Sequence, residues 1–380
     1  MDIDFFSEAQ KIAPKLNSIR EELHKNPELG DHEFKTAEII EKYLDEIGIS
    51  HRRVLKTGII ARLEGALPGK NSAIRTDIDA LPITEATGIS FASQNSGIMH
   101  ACGHDVHMTG ALGAAMILAK YRENLHGSVT FIFQPDEEGE GGADRMIKAG
   151  ALENIDAVFG AHVDPALPAG YVGVKYGNFY AASAMFKIII IGRSAHGAQR
   201  DKGIDAIEIS AHIIPEVLKI PGGVVSVCMI NAGTAGNVLA GRSEFRGIIR
   251  TFGVDERARM CRDFEEITEK ICKSFNAKCE CFFSSGAPGI INSDEKLTSL
   301  VENSARETLG SERVRVIEKP LFISEDFGFY ITAKTGNFYH IGAGCDYPLH
   351  SDKFLPQQEA FITASAVHSA AAFNFNKQDC

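Results

Sequence analysis

A chain of 380 residues exceeds what a single hydrophobic core usually serves, so two domains are expected. Its 44% hydrophobic and 23% charged composition is that of an ordinary globular protein. A formal charge of −11 argues against nucleic acid or an anionic membrane as partner, since both ask for clustered Lys and Arg, and small molecules are the expected ligands.

Ile12, Leu16, Ile19 and Leu23 recur at helical spacing and 37–47 repeats the pattern, which predicts two amphipathic helices before the first strand. Strands at 58–63 and 71–76, a helix at 106–121, a strand at 128–134, a helix at 142–150 and a strand at 156–161 follow. This alternation predicts an α/β domain with a mainly parallel sheet covered on both faces. The register then changes: a strand at 184–192, a helix around 205–218, strands at 223–231 and 244–252, a helix at 255–275 and a strand at 278–283 make a β-α-β-β-α-β series. That is the order of a ferredoxin-like split unit. Alternation resumes at 294–309, 314–317 and 357–373. The expected organisation is one discontinuous domain, 1–182 and 289–380, carrying an inserted α+β domain at 183–288.

The opening MDIDFFSEAQKIAPKL has acids where a signal peptide has a basic segment, and the longest apolar runs are too short to cross a bilayer. A cytoplasmic address follows, and the eight cysteines are expected as reduced thiols. Cys228, Cys261, Cys272 and Cys345 read as buried small hydrophobes, and Cys279 and Cys281 alternate in a strand. Only Cys102 has ligand company, in the run MHACGHDVHM with His100, His104, Asp105 and His107.

Ligands and catalytic groups of open α/β sheets gather beyond the carboxyl ends of the strands. The strand at 71–76 runs into Asp77 and Asp79, that at 128–134 into Asp136, Glu137 and Glu138, and that at 156–161 into His162; His350 lies in a late turn-rich loop. Singly, each reads as well as a cap, a turn residue or a solvated acid. Their coincidence at successive strand ends beside Cys102-x-His104 favours a metal centre. Adjacent glutamates suit it, because one can ligate while its neighbour takes a proton from water acidified by the metal. The implied reaction is hydrolysis of a carbonyl compound, with no Gly-x-Ser-x-Gly or phosphate-cradling motif in competition.

With LHKNPELGDHEFKTA, IRTDIDALPI, MHACGHDVHM, FIFQPDEEGEGGADRMIKAG, FGAHVDPALPAG, GRSAHGA, NAGTAGNV, FRGIIRTF, SEDFGFY and PLHSDKF in order, the chain resembles the M20 metallopeptidase family. The branch is that of hippurate hydrolases, N-acyl-amino-acid deacylases and plant indole-acetyl-amino-acid hydrolases. The resemblance implies a phosphorylase/hydrolase-like catalytic domain with a lid and dimerisation insert. It also implies two divalent ions per subunit (zinc, manganese, cobalt or nickel) on Cys102, His104, Glu138, His162 and His350. Glu137 matches the general base, Asp79 the acid that orients a ligand imidazole, and His196 the histidine that stabilises the oxyanion, often supplied by a partner subunit. Asn237 and Arg250 match positions near the substrate carboxylate; a turn Asn and a structural strand Arg are the plainer readings. His100, His107 and Asp105 are expected as supports and not ligands.

The departures fall in the insert. GRSAHGA is followed by QRDKGIDAI without the family's usual prolines, the connection EVLKIPGGVVSV is short, and Leu239-Ala240-Gly241 replaces Ile-Pro-Asp. They bear on substrate preference and on the usual dimer. The expected activity is deacylation of small N-acyl-L-amino acids by a homodimer. A dipeptidase or aminopeptidase is the alternative, and a metal-stabilised binding protein without catalysis is disfavoured by Glu137 and His196.

Overall fold

A computed structural model describes residues 3–378. Helix α1 (Phe5–Lys25) is started by Asp4, whose carboxylate accepts from Ser7 N at 2.9 Å, and turns Leu16, Ile19 and Leu23 into the core. Along the chain follow α2 (Phe34–Glu46), β1 (Ser50–Val54), β2 (Gly58–Glu64), β3 (Leu67–Asp77), α3 (His104–Lys120), β4 (His126–Gln134), α4 (Ala143–Lys148) and β5 (Ala157–Asp164). After them come β6 (Val172–Val174), β7 (Gly177–Tyr180), β8 (Ala182–Ile191), α5 (Ala206–Val217), β9 (Gly223–Ala232), β10 (Arg242–Thr251), α6 (Val254–Ser274) and β11 (Lys278–Phe283). The last are β12 (Ile290–Asn292), α7 (Glu295–Leu309), β13 (Val314–Val316), α8 (Gly328–Ala333), β14 (Gly336–Gly342) and α9 (Gln358–Asn376). No helix among the described residues is long and apolar enough to cross a membrane.

Two compact units result, one of Met1–Gly177, Asn292–Lys319 and Phe329–Cys380, the other of Asn178–Ile291 and Pro320–Gly328. The first is built on an eight-stranded sheet in the order β1-β2-β4-β3-β5-β14-β6-β13. Its centre, β4, β3, β5 and β14, is parallel, while β1–β2, β2–β4 and β14–β6 pair antiparallel. Because the four central strands run the same way, their carboxyl ends open on one edge. Helices α3 and α9 are buried nearly all round, and small residues let them approach closely: a Cβ on Gly110 would lie 2.6 Å from Ala364 Cβ, and one on Gly113 2.1 Å from Ser365 Oγ. Strand β14, GNFYHIG, is absent from the sequence expectation. Every residue in it is buried, so it lacks the alternation that marks a half-exposed strand.

The second unit is an antiparallel sheet in the order β11-β8-β10-β9 with α5 and α6 packed on it, as the β-α-β-β-α-β series predicts. Its core holds Phe186, Ile188, Ile190, Ile209, Ile213, Phe245, Ile249 and Phe264. The segment Pro320–Gly328 belongs to this unit, with the Phe322 ring 4.6 Å from that of Phe252.

Candidate metal centre

At the carboxyl edge of the parallel strands, the loop before α3 brings Cys102 and His104 to one place. Gly103 between them takes φ +86°, and a Cβ there would lie 2.5 Å from Val163 Cγ2, so the turn depends on glycine. From β5 comes His162, which lies inside the strand and not just beyond it as the sequence suggested. Its Nδ1–H donates to Val163 O at 2.8 Å, leaving Nε2 directed at Cys102 Sγ, 3.4 Å away. Burial keeps this imidazole neutral, its pKa lowered to about 3, which is the form a metal needs.

His104 is held the same way: Nδ1 meets Asp79 O at 2.9 Å and Asp79 Oδ1 at 3.2 Å, and its buried Nε2 has no hydrogen-bond partner. Burial works against the protonated ring, yet Asp77, Asp79 and Glu138 raise its pKa to about 10. Carboxylates that favour a proton on Nε2 equally favour a divalent cation there. Asp79 does a second job, since its Oδ2 accepts from Glu138 N at 2.9 Å. One carboxylate therefore fixes both an imidazole and the loop that carries the paired glutamates.

Glu138 Oε1 lies 3.2 Å from His350 Nε2 and 4.0 Å from His104 Nε2. His350 is exposed and takes φ +66°, with its backbone N–H on Ala101 O at 2.9 Å. Burial and the neighbouring Glu138 and Glu137 push the Cys102 thiol well above its usual range, so a thiolate here calls for a cation beside it. Among the sets of ligand atoms that lie mutually within 4.8 Å are Cys102, His104 and His162; Cys102, Glu138 and His350; His104, Glu137 and Glu138; and Asp77, His104 and His107. The first two share Cys102, so its sulfur could serve an ion held by either set. The donors, the fixed tautomers and the unpartnered Nε2 fit a dinuclear centre.

His107 is spoken for on both nitrogens: Nδ1 is 2.6 Å from Asp77 Oδ1, and Nε2 accepts from Val163 N at 2.9 Å. Asp77 is also bound by Arg75 Nη1 at 3.0 Å; burial opposes its charge, and His104, His107 and Arg75 beside it hold its carboxyl well below the usual range. His100 is buried and kept neutral by burial, its pKa lowered to about 3. Asp105 meets Arg20 Nε at 3.1 Å and His24 Nδ1 at 2.9 Å. Sequence reasoning missed Arg20 and His24. Their signal was two ionisable residues four apart on the face of α1 that also carries Leu16 and Leu23.

His196, Asn237 and Arg250 belong to the other unit. His196 is exposed, bridges to Val238 and accepts from Ala198 N at 3.1 Å through Nδ1; Gly197 N donates to Asn237 O at 2.8 Å, so these two sites share one pair of loops. Arg250 is set apart. It faces Ser183 near one end of β10, whereas Arg242 at the other end faces Ile191, beside the His196 loop. Eight residues of strand separate those ends, about 27 Å at roughly 3.4 Å each.

Comparison with known proteins gives the family. The sequence profile of peptidase family M20/M25/M40 matches residues 73–374. An N-acyl-L-amino acid amidohydrolase of Geobacillus stearothermophilus is 40% identical over 73% of this chain and 77% of its own. Thermostable carboxypeptidase 2 of Saccharolobus solfataricus is 31% identical over 98% of both. The crystal structure of Bacillus subtilis YXEP protein, a dinuclear metal binding peptidase from the M20 family, superposes with a TM-score of 0.86 at 34% identity, covering 97% of this chain and 99% of that one. The chain is a metal-dependent hydrolase and belongs to peptidase family M20/M25/M40.

Proposed function

We propose that the enzyme removes the acyl group from small N-acyl-L-amino acids, using Cys102, His104, Glu138, His162 and His350 as ligands and Glu137 as general base. The observation that carries this reading is the pairing at the end of β4. Glu138 shares a donor set with Cys102 and His350, while Glu137 reaches His104 and Glu138 but neither of the sets built on Cys102. When bound, two divalent ions supply a polarised carbonyl and an acidified water. Glu137 takes the proton of the attacking water as the oxygen adds to the acyl carbon, then returns it to the departing amine nitrogen as the C–N bond breaks. Asp79 holds His104 in the tautomer that leaves Nε2 free, and His196 donates to the oxyanion. Asn237 and Arg250 receive the substrate carboxylate.

The insert at 183–288 serves as lid and dimerisation domain of a cytoplasmic homodimer. Support comes from β9, an edge strand whose residues Cys228 to Ala232 are exposed, Met229 and Ile230 at 55% and 52%. The span between Arg250 and the His196 loop also exceeds a small amino-acid derivative, so the two would serve one substrate only from different subunits. Zinc suits the sulfur ligand, and manganese, cobalt or nickel suit the carboxylates and imidazoles.

Replacing Glu137 by Gln is expected to lower kcat by about 10²–10⁴ with metal content unchanged. Retained turnover in E137Q would sink the assignment. The 31% identical carboxypeptidase supports a peptidase as second reading. N-acetyl and N-benzoyl amino acids assayed beside free-amine dipeptides separate the two.

A further inference from the structure

The segment LHKNPELGDHEFKTA precedes the first strand, and none of its acids serves the proposed centre. Glu28 caps α2: its carboxylate accepts from Lys35 N at 3.1 Å, Thr36 N at 2.8 Å and Thr36 Oγ1 at 3.0 Å. Glu33 stands at the N-cap position of the same helix, yet its side chain makes no cap bond. It is buried instead, with Oε2 accepting from the buried Thr57 Oγ1 at 2.7 Å and Oε1 accepting from Asp136 N at 2.9 Å. Burial pushes this carboxyl up to about 7, against the bonds from Thr57 and Asp136 that favour its charge.

What Glu33 holds is the turn after β4. Asp136 takes φ +56°, a left-handed conformation unfavourable for a residue with a Cβ, and its surroundings fix it there. Arg145 Nη2 donates to Asp136 Oδ2 at 2.7 Å, while Arg145 Nη1 meets Asp31 Oδ1 and Oδ2 at 2.9 and 2.7 Å. A Cβ on Gly30 or on Gly139 would strike Asp136 Oδ1, so both neighbours are glycine. The next residue is Glu137. The amides on either side of it end on buried carboxylates, Asp136 N on Glu33 and Glu138 N on Asp79. The two clamps differ in reach. Asp79 also fixes the proposed ligand His104, whereas Glu33 spends its two oxygens on Thr57 and Asp136, neither of them a ligand.

We propose that Glu33 is a positioning residue for the hydrolysis: through the Asp136 amide it holds the backbone that aims the Glu137 carboxylate at the attacking water. The inference rests on Glu137 being the general base. It applies to an N-acyl amino acid and to a peptide alike, since the base meets the water and not the acyl group. A misplacement of about 1 Å can cost about 10²-fold in rate, while substrate and metal are bound by other residues. Loss of Glu33 therefore shows in kcat, with KM and metal content kept. Glutamine can stand in for it, because its amide oxygen accepts from Asp136 N and its NH2 donates to Thr57 Oγ1, a hydroxyl that accepts as well as donates.

The test compares Glu33→Ala, Glu33→Asp and Glu33→Gln in the full chain loaded with manganese, on whichever N-acetyl or N-benzoyl amino acid or free-amine dipeptide the wild type cleaves fastest. E33A and E33D, the latter a carboxylate one carbon short, are expected to lose about 10–100-fold in kcat with KM and metal content within about twofold of wild type. E33Q should recover kcat to within about threefold of wild type. E33D placed in the E137Q background should cost less than about twofold more, because a residue that acts through Glu137 has nothing left to aim. Circular dichroism shows which variants fold, and E33D and E33Q decide if E33A does not. Wild-type kcat in folded E33A or E33D overturns the proposal, as does metal lost in step with activity. E33Q as slow as E33D, or the full E33D loss on top of E137Q, overturns it too. Those results leave the role of Glu137 standing, whereas retained turnover in E137Q overturns that role and this proposal together.

Discussion

The groups expected to hold metal and the groups expected to meet substrate are built on opposite terms. In the first unit His104, His162, Asp77 and Asp79 are buried, and each is fixed by a second residue or a backbone group. In the second unit His196 is exposed, and Arg250 is half-buried with one contact to Ile249 O at 3.3 Å. The difference follows from the charge each must meet. A divalent ion tolerates little error in position, so the imidazoles of His104 and His162 are set by interior hydrogen bonds before it arrives, whereas the exposed His350 on the same centre is not. An oxyanion or carboxylate comes with the substrate, and a group that meets it can be ordered by that encounter at some cost in side-chain freedom.

The comparison predicts that substituting the second region harms turnover alone, while substituting the first harms metal binding. His196→Ala is expected to lower kcat by about 10²–10³, the usual effect of losing an oxyanion donor, with metal content unchanged. Mixing H196A with E137Q subunits sharpens this. If the histidine acts across the dimer, half of a random mixture is heterodimer with one complete site, so activity should return to about a quarter of wild type. No recovery after subunit exchange would place His196 in its own subunit's site.

Asp79→Ala should act in the other direction. Losing the carboxylate frees the ring of His104 and the backbone of Glu138 together, so metal affinity should fall about 10–100-fold, read by competition with a chelator. Activity at saturating metal should recover in large part. A variant with wild-type affinity and crippled turnover would instead make Asp79 part of the chemistry.

What could be read beforehand follows the same division. Amphipathic spacing gave α1, α2, α5 and α6, and turn-bounded apolar runs gave β4 and β5, because those signals are local. The ligand candidates were legible because carboxylates and imidazoles at strand ends are rare enough to notice. Strand β14 was not, since wholly buried strands lose alternation, and neither was β1, whose SHRRV is too polar to read as sheet. The partner of His107 was hidden for another reason. Asp77 and His107 are thirty residues apart, and only the parallel pairing of β3 with its neighbours and the placing of α3 bring them to 2.6 Å.

The smallest effect concerns what braces the first region from behind. His24 and Arg20 share Asp105, the residue after the proposed ligand His104, in a buried cluster that reaches Glu85 at 3.3 Å. Burial disfavours the charged ring, yet Asp105 and Glu85 raise the pKa of His24 from 6.5 to about 9. Because the folded value lies above the unfolded one, the stabilisation is fully present below pH 6.5 and is lost as pH rises through about 9. Asp105 behaves oppositely, its pKa lowered from 3.8, so its share is present above that value and is lost as pH falls further. The cluster therefore contributes most between about pH 4 and pH 6.5. His24→Gln should cost about 1–3 kcal/mol there, measured by urea unfolding, and the gap to wild type should narrow by pH 10. A gap that stays constant from pH 5 to pH 10 would mean that His24 acts through packing and its neutral hydrogen bond, and that the brace behind the metal loop carries no protonic charge of its own.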